Sequence, residues 1–186
     1  MPGYFGTNVQ RQLQAQAEAS AELIRTTPGM CQNGRMMGCD DPDLLGWDRI
    51  ADIIQRDRVI GFRLISASAA NKVAARVAEL ACRLDTWDVF VAERDDALAA
   101  SRKIVSCGLL EGLRDLPVPT NAEGDYTARI QSLMGEAGIV PFSGSLLVGD
   151  SGPATTAAVG HTQDAIAAVA HGYLPHNSHN PYTHYA

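Results

Sequence analysis

The chain has 186 residues, 46% of them hydrophobic and 19% charged, with 15 Lys and Arg against 21 Asp and Glu for a net charge of −6. That size and mixture fit one folded domain, or one domain with an appendage, and exclude a disordered polymer. The acidic balance argues against a nucleic-acid footprint, and no run of 18 apolar residues exists to read as a membrane span.

Residues 1–6 lack the basic region and apolar core of a secretion signal, so the expected compartment is the cytoplasm. The four cysteines, Cys31, Cys39, Cys82 and Cys107, are too few and too scattered for a disulfide framework in a chain this long. No Cys-x-x-Cys pair is present to support a zinc knuckle.

Thr7 or Asn8 can cap a helix running to Arg25, where Val9, Leu13, Ala17, Leu23 and Ile24 give only a thin apolar stripe. A stripe that narrow predicts a peripheral or partner-facing helix, ended by Thr27, Pro28 and Gly29. Residues 30–42 read as a loop. A Cys31/Cys39 pair is the functional alternative there, and an irregular linker is the expectation in a reducing compartment. The domain proper is therefore expected over 43–186, with 1–42 as a helical N-terminal extension.

Asp43 can cap a second helix, in which Leu44, Leu45, Trp47, Ile50, Ile53 and Ile54 form a core stripe. Residues 59–66 read as a strand, and Ser68 opens a helix with Val73, Val77, Leu80, Ala81 and Leu84 at helical spacing. Residues 87–92 read as a second strand, followed by a helix from Asp95 or Asp96 to about Ser106. If both strands share a sheet, the unit is parallel and right-handed. The turn at 66–71 has neither dinucleotide-binding glycines nor a phosphate loop, so this unit is scaffold. Residues 108–124, broken by Pro117, Pro119 and Gly124, mark an internal boundary or mobile loop. Asp125 then caps a short helix to about Gly135, with Tyr126, Ile130, Leu133 and Met134 inward.

Three apolar runs follow, at 146–148, 154–161 and 165–174, joined by short polar turns. Turns this short imply antiparallel neighbours. The third run alternates Ile166, Ala168, Ala170, Gly172 and Leu174 against Val169, His171 and Tyr173. The fold class is thus α/β in the α+β sense: a mixed sheet with an antiparallel meander over 145–174 and flanking helices.

Two constellations invite chemistry. Gly149, Asp150, Ser151, Gly152 and Pro153 resemble the nucleophile motif of trypsin-like proteases, but all five histidines follow Ser151, whereas that family places its His and Asp before the Ser. The segment is read as a turn. His171, His176, His179 and His184 cluster near the end of the chain without an acidic residue or cysteine among them. A metal-dependent hydrolase is the weakest reading, and no metal ligand is assigned. His171, at a strand end beside Tyr173, is the best placed general base.

The order of helix 125–135, runs 146–150, 154–161 and 165–174, a loop, and the aromatic-led segment 182–186 resembles the GNAT superfamily of N-acetyltransferases over 125–186, and more faintly over 58–124. That resemblance implies acetyl transfer from acetyl-CoA to an amine, on a small molecule or a peptide. It implies substrate-side roles for His171, Tyr173, His176, Asn177, His179 and Tyr182. The family's Arg/Gln-x-x-Gly-x-Gly/Ala loop, whose backbone N–H groups hold the cofactor pyrophosphate, is absent here, so no cofactor-binding residue is assigned. The sequence stops at Ala186, where the family's central strand would begin. The expectation is therefore a truncated N-terminal part that is a poor catalyst alone. Strand 165–174 would then form an exposed sheet edge, prone to homodimerisation. The alternative is a non-catalytic α/β interaction module whose first helix docks a partner.

Overall fold

The computed structural model describes residues 3–173. Its first helices, α1 (Asn8–Ala19) and α2 (Ala21–Thr26), are one predicted helix broken at Ser20. A capping box starts α1: the Thr7 hydroxyl accepts from Gln10 N, and the Gln10 side chain accepts from Thr7 N at 2.9 Å. Gln14 and Ala17 of α1 and Ile24 of α2 are buried, whereas Val9 and Leu23 of the predicted stripe are exposed, so only part of it faces the protein's own interior.

The loop expected over 30–42 is instead a β-hairpin, β1 (Met30–Asn33) with β2 (Met36–Cys39). Its two-residue turn places Gly34 first, at φ 59°, the left-handed conformation that such a tight connection needs and that glycine adopts without strain. Met30 and Met37 fill the core, which is why a Gly- and Cys-rich stretch holds as strands. Cys39 pairs with Met30 and Cys31 with Gly38, so side chains 31 and 39 lie on opposite faces of the hairpin. Both thiols are free, and burial pushes Cys31 up to about 12 and Cys39 upward as well.

Asp41, not Asp43, caps the short helix α3 (Pro42–Leu45), and α4 (Trp47–Asp57) follows from Gly46. The strand expected over 59–66 shrinks to β3 (Gly61–Phe62), parallel to β2, because Leu64 adopts φ 55° and ends the extended run. Helix α5 (Ala67–Glu79) is capped by Ser66. Residues 87–92, expected as a second strand, pair with nothing in either sheet, and Phe90 is 96% exposed. The parallel strand–helix–strand unit is therefore not formed among the described residues. Helix α6 (Arg94–Val105) follows, with no buried residue.

The segment read as a boundary, 108–124, contributes β4 (Arg114–Asp115). Helix α7 (Asp125–Glu136) buries Thr127, Ile130, Gln131 and Met134. The first run of the expected meander is helical: α8 (Gly144–Leu147) is capped by the Ser143 hydroxyl, which accepts from Leu146 N. Strands β5 (Ala154–Thr162) and β6 (Ala165–Tyr173) form the long antiparallel hairpin, with β4 on the far side of β5.

The fold is thus α+β, with two three-stranded sheets, one mixed (β1-β2-β3) and one antiparallel (β4-β5-β6). One core gathers Ile24, Met30, Met37, Cys39, Leu45, Ile50 and Ile53. The other gathers Ile130, Met134 and Leu147, covered by Tyr126, Phe142, Ile166 and Val169. Each fully buried aliphatic side chain contributes about 1.5–3 kcal/mol. Polar contacts join the two regions: Gln131 Nε2 donates to the carbonyls of Gly3 and Phe142, and the buried Arg35 donates to those of Phe5 and Pro141.

Ile166 departs from the alternation expected of β6. Val159 and Gly160 are consecutive, yet they pair with Ala168 and Ile166 and leave Ala167 unmatched. This bulge turns Ile166 onto the same face as Val169, His171 and Tyr173, against α7.

Candidate functional site

The register of β5 and β6 sets Thr156 directly opposite His171, so the two side chains share a face. The Thr156 hydroxyl donates to the Leu147 carbonyl at 2.7 Å. Its one proton is therefore committed, and its 2.9 Å contact with His171 Nδ1 must be a bond in which the imidazole donates. That assigns the Nδ1–H tautomer and leaves a lone pair on Nε2. Nε2 is buried and has no hydrogen-bond partner among the described residues. Burial lowers the His171 pKa below the ordinary histidine value, with the Thr155 carbonyl acting the other way. The ring is held neutral and oriented, with an unpaired lone pair on the buried Nε2.

Aromatic rings wall this imidazole. Phe142, from the segment between α7 and α8, lies 4.6 Å from the His171 ring and 5.7 Å from that of Tyr173. His171 and Tyr173 stack at 6.0 Å. The Arg63 guanidinium, just past β3, lies 5.6 Å over the Tyr173 ring, and the Arg63 N–H is fixed on the Cys39 carbonyl. The site thus draws on both sheets and on the α7–α8 connection.

Of the residues singled out by sequence, the structure brings together His171 and Tyr173. His176, Asn177, His179, Tyr182 and His184 lie outside the described residues. His161 stands apart, donating from Nδ1 to the Gly112 carbonyl at 2.8 Å. Asp150 and Ser151 donate their backbone N–H groups to the Ser145 carbonyl, the geometry of a turn rather than of a nucleophile. Among the described residues no group of three or more His, Cys, Asp or Glu is placed to hold a metal ion. Thr156, Phe142 and Arg63 escaped sequence reasoning. The pair Thr155-Thr156 in an apolar run was the visible signal, but only the register shows which one meets the histidine.

A coenzyme A pyrophosphate needs free N–H groups at a helix start. Among the described helices, α2, α4, α6 and α7 have no side-chain cap. Side chains cap α1, α3, α5 and α8, while α2, α4, α6 and α7 carry Glu22, Asp48, Asp95 with Asp96, and Asp125 in their first turns. Those carboxylates satisfy the helix dipole and repel phosphate.

No protein-family model matches the chain, and no curated protein or solved structure matches it. No described helix is long and apolar enough to cross a membrane.

Proposed function

We propose that this chain carries the acyl-acceptor side of a GNAT-type N-acyltransferase, with His171 receiving the proton of the attacking amine. What supports the reading is the buried, unpartnered Nε2 of an imidazole whose tautomer Thr156 fixes. A base of this kind must be neutral at working pH and aimed by a second group. Here burial keeps the ring neutral and the Thr156–Leu147 relay aims it. Phe142 and Tyr173 supply apolar walls that suit the alkyl part of an amine. The acyl donor, acetyl-CoA by resemblance, is assigned no residue and no step.

The test is acetyl transfer from acetyl-CoA to a panel of primary amines, using the longest natural product of the gene that contains these residues. His171→Gln is expected to lower kcat by about 100-fold or more, the usual contribution of a general base. Thr156→Val should lower kcat less and leave the acceptor KM unchanged. Full activity in both variants would overturn the assignment of His171.

A second reading, a non-catalytic interaction module, draws on one observation: Trp87, Val89, Phe90 and Val91 are exposed together in an extended segment. The outer edge of β6 also has no strand beside it among the described residues, which supports a homodimer through that edge. Absence of transfer with every amine, together with self-association in sedimentation, would favour this module.

A further inference from the structure

Arg63 is a half-buried cation whose guanidinium makes no hydrogen bond or ion pair among the described residues. The neighbouring Asp40 carboxyl attracts it through space but makes no hydrogen bond to it, for both Asp40 oxygens are buried without a hydrogen-bond partner. The Tyr173 ring fixes the guanidinium through its flat face. A guanidinium held that way keeps its in-plane N–H donors for another group, and their fork matches the two oxygens of a carboxylate. Tyr173 thus neighbours both groups, its ring centroid 6.0 Å from that of His171 and 5.6 Å from the Arg63 guanidinium carbon. The imidazole and the cation flank the same ring, close enough for a flexible chain of several bonds to bridge.

We propose that the acceptor is an amine that also carries a carboxylate, and that Arg63 selects it by pairing with that carboxylate while the amine reaches His171. The proposal rests on the acyl-acceptor reading of the same site. Arg63 is a specificity-determining residue in this scheme and takes no part in proton transfer. The amine is bound as the ammonium or free base on the His171 side, and the carboxylate on the Arg63 side stays ionised throughout, so no bond changes at Arg63.

The experiment titrates the whole chain with three probes of one length: 6-aminohexanoate, its uncharged amide 6-aminohexanamide, and 5-aminopentylphosphonate as the phosphate-like probe. NMR follows the Arg63 side-chain N–H, the Tyr173 ring and the His171 ring nitrogens. The carboxylate probe is expected to bind about tenfold more tightly than the amide and to move all three signals, and Arg63→Gln should make the two probes equal. Equal binding of carboxylate and amide to the wild-type chain would overturn the proposal, and so would tighter binding of the phosphonate. Arg63→Lys separates charge from geometry: full discrimination by the lysine variant would overturn the bidentate pairing. Discrimination with no movement of the His171 nitrogens would uphold Arg63 as the anion contact but overturn the acceptor reading. Movement of His171 without discrimination would do the reverse.

Discussion

Glu18 and Ser143, 125 residues apart in the chain, meet through a 2.9 Å hydrogen bond from the Ser143 hydroxyl to the Glu18 carboxylate. The same carboxylate accepts from Tyr4 at 2.9 Å and from Gln14 at 2.8 Å, and lies 3.3 Å from the Ser145 hydroxyl. Ser143 in turn caps α8, which supplies the Leu147 carbonyl that commits the Thr156 proton. The first helix is thus tied to the relay behind His171.

Glu18→Ala should therefore destabilise the chain by about 3 kcal/mol, since it strands several part-buried donors of one charged acceptor. Glu18→Gln, which keeps one carbonyl oxygen, should lose roughly half as much. Urea midpoints compare the two, and amide exchange should quicken along 144–148 in the alanine variant. Unchanged exchange there would mean that the cap does not depend on Glu18.

His171 gives a pH dependence with a definite sign. Its folded pKa lies below the unfolded value, about 6.5, so the unfolded chain binds the extra proton first. Stability from this group is complete above that value and is lost as pH falls from it toward the folded pKa. His171→Gln should remove this acid-side loss below the ordinary histidine value of about 6.5. Ring-nitrogen NMR should show the native imidazole neutral at pH 7 with the proton on Nδ1. A proton on Nε2 would contradict the Thr156 relay.

How much of this could be read from the sequence depends on whether local spacing or tertiary pairing decides the element. Helical periodicity located α4, α5 and α7, whose apolar positions recur at helical spacing and whose buried faces the structure bears out at Ile50, Ile53, Val73, Val77, Ile130 and Met134. The β5–β6 hairpin was legible because its turn is short. Residues 146–148 misled because two leucines and a valine read as strand, whereas the Ser143 cap and burial on α7 made them helix. Residues 87–92 have strand composition but no neighbour to pair with, and composition alone cannot supply a ladder. At the site, His171 and Tyr173 were visible as chemistry. Their partners Thr156, Phe142 and Arg63 come from three distant segments, and only the folded register joins them.

Asp40 offers a test of buried charge. Its carboxyl is raised above the usual range, first by burial and then by Asp41, with its own backbone N–H and Arg63 opposing. The raised folded pKa means that stability from this group is present below the unfolded value and is lost as pH rises through the folded pKa. Asp40→Asn, which removes the ionisation at nearly constant volume, should raise stability at pH 7 by about 1 kcal/mol and flatten that loss. A lower urea midpoint for the variant at pH 7 would show that the ionised carboxylate holds a favourable contact.

The bulge at Ala167 makes the last prediction. With strict alternation Ile166 would share a face with Ala168 and Ala170, both exposed, and its truncation would matter little. In the structure it packs instead on the core of Ile130, Met134 and Leu147 beside Val169. Ile166→Ala should then cost about 2 kcal/mol, at the low end for an aliphatic truncation because the side chain is only partly buried. Ala168→Ser, on the exposed face, should stay within about 0.5 kcal/mol of wild type. Deleting Ala167 should restore simple alternation with Ile166 still on the core face, and so cost less than Ile166→Ala. The same deletion leaves the Thr156–His171 pair in register, because that pair lies on the far side of the bulge from the turn. The His171 ring-nitrogen signals should accordingly survive the deletion, with a urea midpoint above that of Ile166→Ala. Loss of the Nδ1–H signal in a variant that still folds would mean that the hairpin re-registers as a whole.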